Sequence, residues 1–264
     1  MAKIGLTNLY WSKLTEALDG TPTYDGGKSF GKAVSASVSI SNNSATLYAD
    51  DALAESDTSF QNGTVTLGVD DDRDATFAAV LGHNIDEGGK VIRNVNDIAP
   101  YVALGRIVVK MVANVRLYKV EILYKVKFSE PSQDDNTKGE SVEFATPSIE
   151  GQIAALANGK WSESKTFATK AEAVAYILGV FAAAGSTFRI NYDVNGGTGS
   201  ISTVVVNVGS STTINNGSTL TPPSNKEFGG WAITSGATEA VYEGGETYYP
   251  ASDVTFYAVW NDAT

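Results

Sequence analysis

Between Tyr101 and Ile153 apolar and polar side chains alternate over three long stretches separated by one polar loop, and this two-residue period commits the chain to extended β-sheet. In Arg116–Phe128 the residues Tyr118, Val120, Ile122, Tyr124, Val126 and Phe128 share one face, while Lys119, Glu121, Lys125 and Lys127 share the other. A strand of that length spans about 45 Å at roughly 3.4 Å per residue, against a common strand length of about 17–20 Å. Part of it is expected to project beyond its own core and to be covered by something outside the chain.

With 264 residues, 42% of them hydrophobic, the chain can bury a genuine core in one large or two ordinary domains. Its 26 glycines and 12 tyrosines, with many Thr, Val and Ser residues, favour a mainly β fold with few helices. The absence of cysteine excludes disulfides, thiolate metal sites and cysteine nucleophiles. The opening Met1–Leu6 lacks the apolar run of a signal peptide and no stretch approaches a membrane span, so synthesis in cytoplasm without membrane insertion is expected. A net charge of -11 argues against gripping nucleic acid through its phosphates, which needs clustered Lys and Arg.

Along the chain, Phe30–Ile40 alternates Val34, Ala36, Val38 and Ile40 against Ser35, Ser37 and Ser39, and Asn42–Asn43 is expected to turn it into a second strand over Ala45–Ala49. Asp50–Asn62 is acidic and aperiodic and reads as a long loop; Thr64–Val69 resumes as a strand. The Asp70–Asp72 run, then Phe77, Ala78, Val80 and Leu81 at helical spacing and Gly82 as a left-handed cap, predict a short helix. Those aspartates lack the glycine and distal glutamate of a calcium loop and suit a helix N-terminus. Ser129–Gly139, with turn formers and no apolar residue, reads as a solvated loop. Thr169 and Glu172 form a capping box for a second helix with Val174, Ile177, Leu178 and Phe181 on one stripe, ending at Gly185. Small residues at Ala182–Thr187 mark a boundary, giving domains 1–184 and 185–264; beyond it stand two basic and seven acidic residues, and both parts are acidic.

Catalytic patterns are poorly supported. His83 is the single histidine and is expected to complement the dipole at a helix C-terminus. No Gly-x-Ser-x-Gly elbow accompanies it, Gly209–Ser211 being a poor substitute. Asn195–Gly199 lacks the Lys-Ser/Thr of a phosphate loop and reads as a turn. The carboxylate pairs Glu140 with Glu143 and Asp134 with Asp135 lie in or beside the polar loop, where nothing raises a pKa by burial. Trp231, Trp260, Tyr242, Tyr248, Tyr249 and Tyr257 crowd the C-terminal part, where core packing is the expectation for the tryptophans and sugar stacking the alternative.

Two resemblances follow. The segments Met1–Tyr10 with Ala33–Ala36, Ala45–Asp51, Val65–Leu67 followed by acids, Leu81–His83, Glu87–Gly88, Ala99–Gly105, Lys127–Pro131 and Lys138–Pro147 together resemble the major tail proteins of long-tailed phages of Gram-positive hosts, from Met1 to about Phe181. The resemblance implies a tail-tube β-sandwich with a flanking short helix and a C-terminal helix. It further implies hexameric rings stacked into the tube through which DNA passes. Its partners would be other copies of the chain, a tape measure protein and other tail proteins; its place would be the virion, with no cofactor and no catalysis. A lumen of acidic or neutral groups keeps phosphates moving. The lysine-bearing face of Arg116–Phe128 then either pairs with acids on adjacent strands or lies outside the channel.

The second resemblance rests on Phe188–Tyr192, Asn195–Gly197, Phe228–Trp231, Tyr242 with Gly244, and Asp253–Trp260, which together are similar to one Listeria-Bacteroides repeat, the small β-grasp-like module of internalin B repeats and other surface proteins. The central motif is abbreviated, with Lys226–Glu227 ahead of it. As a single C-terminal copy it implies decoration of the tube exterior, with weak adhesion through multivalency. For contact between rings or subunits the candidates are Asp50, Asp51, Leu53, Phe60, Glu130, Asp134 and Asp135, in the two long loops; for a surface ligand they are Trp231, Tyr242 and Tyr248. A cell-surface carbohydrate-binding adhesion module is the alternative function.

Overall fold

The computed structural model describes residues 2–49, 52–70, 74–132 and 146–263. They divide into two compact units, Met1–Thr169 and Lys170–Thr264. In the first unit the elements are β1 (Ala2–Glu16), β2 (Pro22–Tyr24), β3 (Lys28–Gly31), β4 (Ala33–Ala49), β5 (Ala52–Val69), α1 (Asp74–Leu81), β6 (Asn84–Ile85), β7 (Val91–Ile92), β8 (Val102–Val112), β9 (Val115–Phe128), β10 (Ser148–Ile153) and β11 (Ser162–Phe167). The second contains α2 (Lys170–Val180), β12 (Thr187–Asp193), β13 (Val204–Asn207), β14 (Thr212–Thr213), β15 (Lys226–Ala232), β16 (Thr247–Tyr248) and β17 (Val254–Asp262). The fold is mainly β with two helices among the described residues.

The first unit is built on one nine-stranded antiparallel sheet with path β2-β1-β8-β9-β10-β5-β4, with β3 added on β1 and β11 on β9. Strands from both ends of that path contribute to a single core: Leu9, Trp11 and Phe30 from one end meet Val65, Leu67 and Val69 from the other, with Leu104, Val126 and Ile149 between them. The layers expected of a sandwich are therefore parts of one continuous sheet. Helix α1 adds Phe77, Val80 and Leu81 to this core, and the Phe30 ring lies 6.2 Å from Phe77 and 5.4 Å from Phe128.

The alternation read over 101–153 appears as β8, β9 and β10. The tip between β8 and β9 is tight because Ala113 and Asn114 both take positive φ, 47° and 65°, the conformation a two-residue hairpin loop requires. The edges of β9 are covered from within the chain, by β8 on one side and by β10 and β11 on the other. Strand β11 escaped the sequence reading because Ser-Glu-Ser-Lys-Thr-Phe offers no apolar alternation.

The largest departure is at β4 and β5. Asn42 and Asn43 do not turn the chain: they pair with Phe60 and Ser59 across a register shift after Ser41, and β4 runs on to Ala49. The Asp50–Asn62 segment, expected as a loop, is strand from Ala52 onward, so the two strands form one long hairpin. Beyond Ser41 its described positions in β4 are exposed, and Ser, Thr, Asn and Ala stand on both faces. A ribbon without a buried face has no apolar contrast for a period of two to reveal.

Helix α1 ends where Gly82 predicts, with φ 83° and a hydrogen bond of 2.8 Å from the His83 N–H to the Ala78 carbonyl, the 6→1 closure of a Schellman cap. Helix α2 stops at Val180 rather than Gly185, and its buried positions are Ala173, Ala175, Ile177 and Leu178, with Val174 only half-buried. It groups with the second unit, fifteen residues before the boundary at 184/185. There Gly179 packs on Gly209, close enough that a Cβ on Gly179 would stand 3.0 Å from the Gly209 Cα.

In the second unit the sheet order is β13-β12-β17-β15, with the central pair β12 and β17 parallel and the flanking pairs antiparallel. First and last strands side by side at the centre is the β-grasp-like arrangement. The Asn195–Gly196 turn has positive φ at both residues, 43° and 92°, closed by a 2.9 Å bond from the Gly197 N–H to the Val194 carbonyl. Trp231, Phe256, Ala258 and Ile190 are fully buried at the core.

Candidate assembly surface

The hairpin of β4 and β5 divides at Gly63. Below it, Val65, Leu67 and Val69 are buried and β10 pairs β5 from Gly63 to Gly68. Above it, among the described residues, β5 pairs with β4 alone, and the outer edge of β4 is the end of the sheet path. A Cβ on Gly63 would stand 2.7 Å from the Ile40 side chain and 2.8 Å from the Ser39 carbonyl, so the absence of a side chain lets the strands stay close where the ribbon leaves the body.

The sequence-derived contact residues fall in different places. Asp50, Asp51, Asp134 and Asp135 lie outside the described residues, as do Asp71, Asp72, Glu140 and Glu143. Leu53 is in β5 opposite Tyr48, its side chain outside the described set. Phe60 is half-buried and stacks on Trp161 of its own chain, with centroids 4.7 Å apart and planes 5° from parallel, which anchors the ribbon's base. Glu130 stands just past β9, with Oε1 2.5 Å from His83 Nε2, a contact that lacks hydrogen-bond geometry. Phe60 and Glu130 thus have separate neighbours within the chain.

His83 does more than face a helix terminus. Its ring is 5% exposed, and Nδ1 lies 2.8 Å from Asp97 Oδ2, which also accepts the Asn94 N–H at 2.8 Å. That N–H, with the imidazole second, holds the Asp97 carboxyl below its ordinary value. The imidazole thus lies between carboxylates of the loop after β7 and of the segment after β9. Among the described residues no group of three or more His, Asp or Glu side chains gathers as a metal site.

The cations of β9 are largely matched within the chain, but they do not share the one face expected: a register shift against Val102–Leu104 puts Lys125 and Lys127 on the side opposite Lys119 and Glu121. Lys119 and Arg106 both reach Glu121, the guanidinium through Nε at 2.9 Å and Nη2 at 2.6 Å. Burial works to raise the Glu121 carboxyl, but the Lys119 and Arg106 contacts outweigh it and hold it below its ordinary value. Lys125 pairs with Glu16 of β1, whose carboxyl is lowered first by that contact and next by the Ala157 N–H. Lys125 and Lys127 also lie over the Tyr101 ring, 4.8 Å and 5.5 Å from its centroid. Pairing with acids on adjacent strands, one of the two alternatives open from the sequence, is met by neither lysine: Glu121 lies on the same strand as Lys119, and β8 stands between β9 and the Glu16 of β1 that Lys125 reaches.

One cationic feature was missed. Register places Lys3 of β1 directly opposite Lys110 of β8, on the face that also carries Arg106, Lys119 and Glu121. That face lines a groove of about 350 Å³ with Lys3, Arg106 and Val108 on one side and Ser35–Val38 of β4 on the other. Spacing within the sequence held no signal for it, since the two lysines are 107 residues apart. Only the emptiness of Met1–Thr15 and Val102–Val120 in acids hinted at it.

In the second unit Trp231 is 0% exposed, its Nε1–H donates to the Asn215 carbonyl at 2.6 Å, and its ring meets Tyr192 at 4.9 Å and Phe228 at 5.1 Å. It is a core residue and presents no ring face to a ligand, which corrects its assignment as a surface contact. Tyr242 and Tyr248 are half-buried and pack edge-on against each other and Phe256, at 5.6, 5.3 and 5.2 Å. A domain this small uses its aromatics to supply buried area. No curated protein matches the chain. Residues 188–259 match the family model of the Listeria-Bacteroides repeat domain, so the second unit carries one such repeat.

Proposed function

We propose that the chain is a non-enzymatic structural subunit that assembles with copies of itself into stacked hexameric rings, forming a phage tail tube. DNA passes through it without specific binding, a tape measure protein and other tail proteins are its partners, and the C-terminal repeat decorates the exterior. The observation that carries this reading is the exposed hairpin: a 17-residue edge strand that pairs with no strand but β5 among the described residues, continued by a ribbon whose described positions are exposed but for the half-buried Phe60. Isolated proteins rarely leave such an edge open, because its unpaired N–H and C=O groups invite association; closed assemblies remove it. Negative-stain microscopy of concentrated protein is expected to show rings or tubes. Deleting Asp51–Ser59 is expected to leave folded subunits that no longer polymerise, and normal tubes from that deletion would refute the assignment.

A surface-adhesion module for carbohydrate is favoured by one observation, the repeat at 188–259. Against it, Trp231 is buried and both tyrosines are engaged in the core. Monodisperse particles under the microscope, together with retention on cell-wall glycan, would decide for it.

A further inference from the structure

The Lys3–Lys110 pair is an electrostatic arrangement that the subunit leaves unresolved. Like charges directly opposite on adjacent strands destabilise a sheet. On their face the one acid, Glu121, is already taken by Arg106 and Lys119, and among the described residues neither Lys3 nor Lys110 has an ion pair. An anionic partner arriving from outside would relieve this repulsion. The complementary surface is in the same chain: between Lys32 and Arg73 there is no basic residue, and the ribbon's strand β5 carries Glu55 and Asp57.

A subunit cannot satisfy itself in this way. The groove beside Lys3 is lined by β4 at Ser35–Val38, whereas Glu55 stands opposite Leu47, nine residues farther along β4. At roughly 3.4 Å per residue that is about 30 Å up a paired ribbon. We propose that the acidic hairpin ribbon of one copy docks on the Lys3–Lys110 face of a second copy, an inference that rests on the self-assembly reading above. The two surfaces differ, so the contact is heterologous, and its rotation decides whether it closes a ring or repeats from ring to ring. Charge at the contact also makes association sensitive to salt.

The test is sedimentation velocity on the full chain, with circular dichroism melts to verify folding. Lys3→Glu with Lys110→Glu, and separately Glu55→Lys with Asp57→Lys, are each expected to lower the association constant about tenfold or more, a loss of about 1.4 kcal/mol of association per tenfold. Combining all four changes is expected to restore it. Should a charge reversal unfold the subunit, Lys3→Gln with Lys110→Gln and a salt titration of the unaltered protein from about 0.1 to about 1 M give the same comparison. Wild-type protein that assembles while both pairs of variants assemble equally well overturns this contact and leaves the assembly reading standing. So does a combined variant that fails to recover. Loss of binding to a short DNA duplex by the lysine variants, with assembly unchanged, assigns the face to nucleic acid and overturns the proposal. A wild-type protein that stays monomeric removes both readings together.

Discussion

Gly82 illustrates how much one position without a side chain decides. Its φ of 83° lets the chain leave α1 through the cap, and a Cβ there would stand 2.3 Å from the Ile98 carbonyl oxygen. Backbone is the obstruction, so no side-chain rotation relieves it. Gly82→Ala is expected to destabilise the first unit by about 1–3 kcal/mol, read as a lowered melting temperature; an unchanged one would contradict the cap geometry. The glycine's role was legible from its place after Leu81. The Ile98 contact was not, since that carbonyl arrives from a loop sixteen residues away. Trp231 shows the same limit: its aromatic neighbours were visible in the sequence, but whether they formed a face or a core depended on β15 and β17 pairing.

At the scale of elements, β8 and β9 are held together by the cross-strand bridge from Arg106 to Glu121, with Lys119 as a second donor. The carboxyl of Glu121 is depressed in the folded state, so its contribution to stability is present above the unfolded value near 4.5 and is lost as pH falls through the lower folded value. Glu121→Gln is expected to cost about 1–3 kcal/mol at neutral pH, since it leaves two half-buried cations without their acid. The difference in melting temperature from wild type should shrink as pH falls from 4.5 through the lower folded value; a difference independent of pH would show that the ion pair is not its source. Elements with one buried face, such as β10 and α1, could be read from the sequence because burial writes a period into it. The ribbon and β11 could not, because their pairing rests on backbone hydrogen bonds that Ser, Thr and Asn satisfy as well as Val does.

As a whole molecule, the chain carries among its described residues one core around Leu67, Phe30 and Val126 and a separate one around Trp231 and Phe256. Each is expected to support folding alone. A fragment of residues 170–264 should melt cooperatively, and one beginning at 185 should melt lower, because it lacks the α2 surface that receives Gly209 through Gly179. Equal melting of the two fragments would place α2 outside the fold of the repeat. Of the assembly candidates, the acidic character of the ribbon was already plain in the sequence, whereas its extended form and the Lys3–Lys110 face were not.

What the amino-acid order determined unaided was a set of features held by local or periodic interactions: the mainly β composition, the strands with one apolar side, the presence of two helices with the Gly82 cap of the first, the Asn-Gly turn and the C-terminal repeat. Tertiary structure alone decided which strands became neighbours, and hence that Lys3 faces Lys110 and that Glu121 rather than solvent receives Arg106 and Lys119. The physical reason is that register between distant strands is set by the packing of the whole sheet, and charges meet according to that register and not according to their separation along the chain.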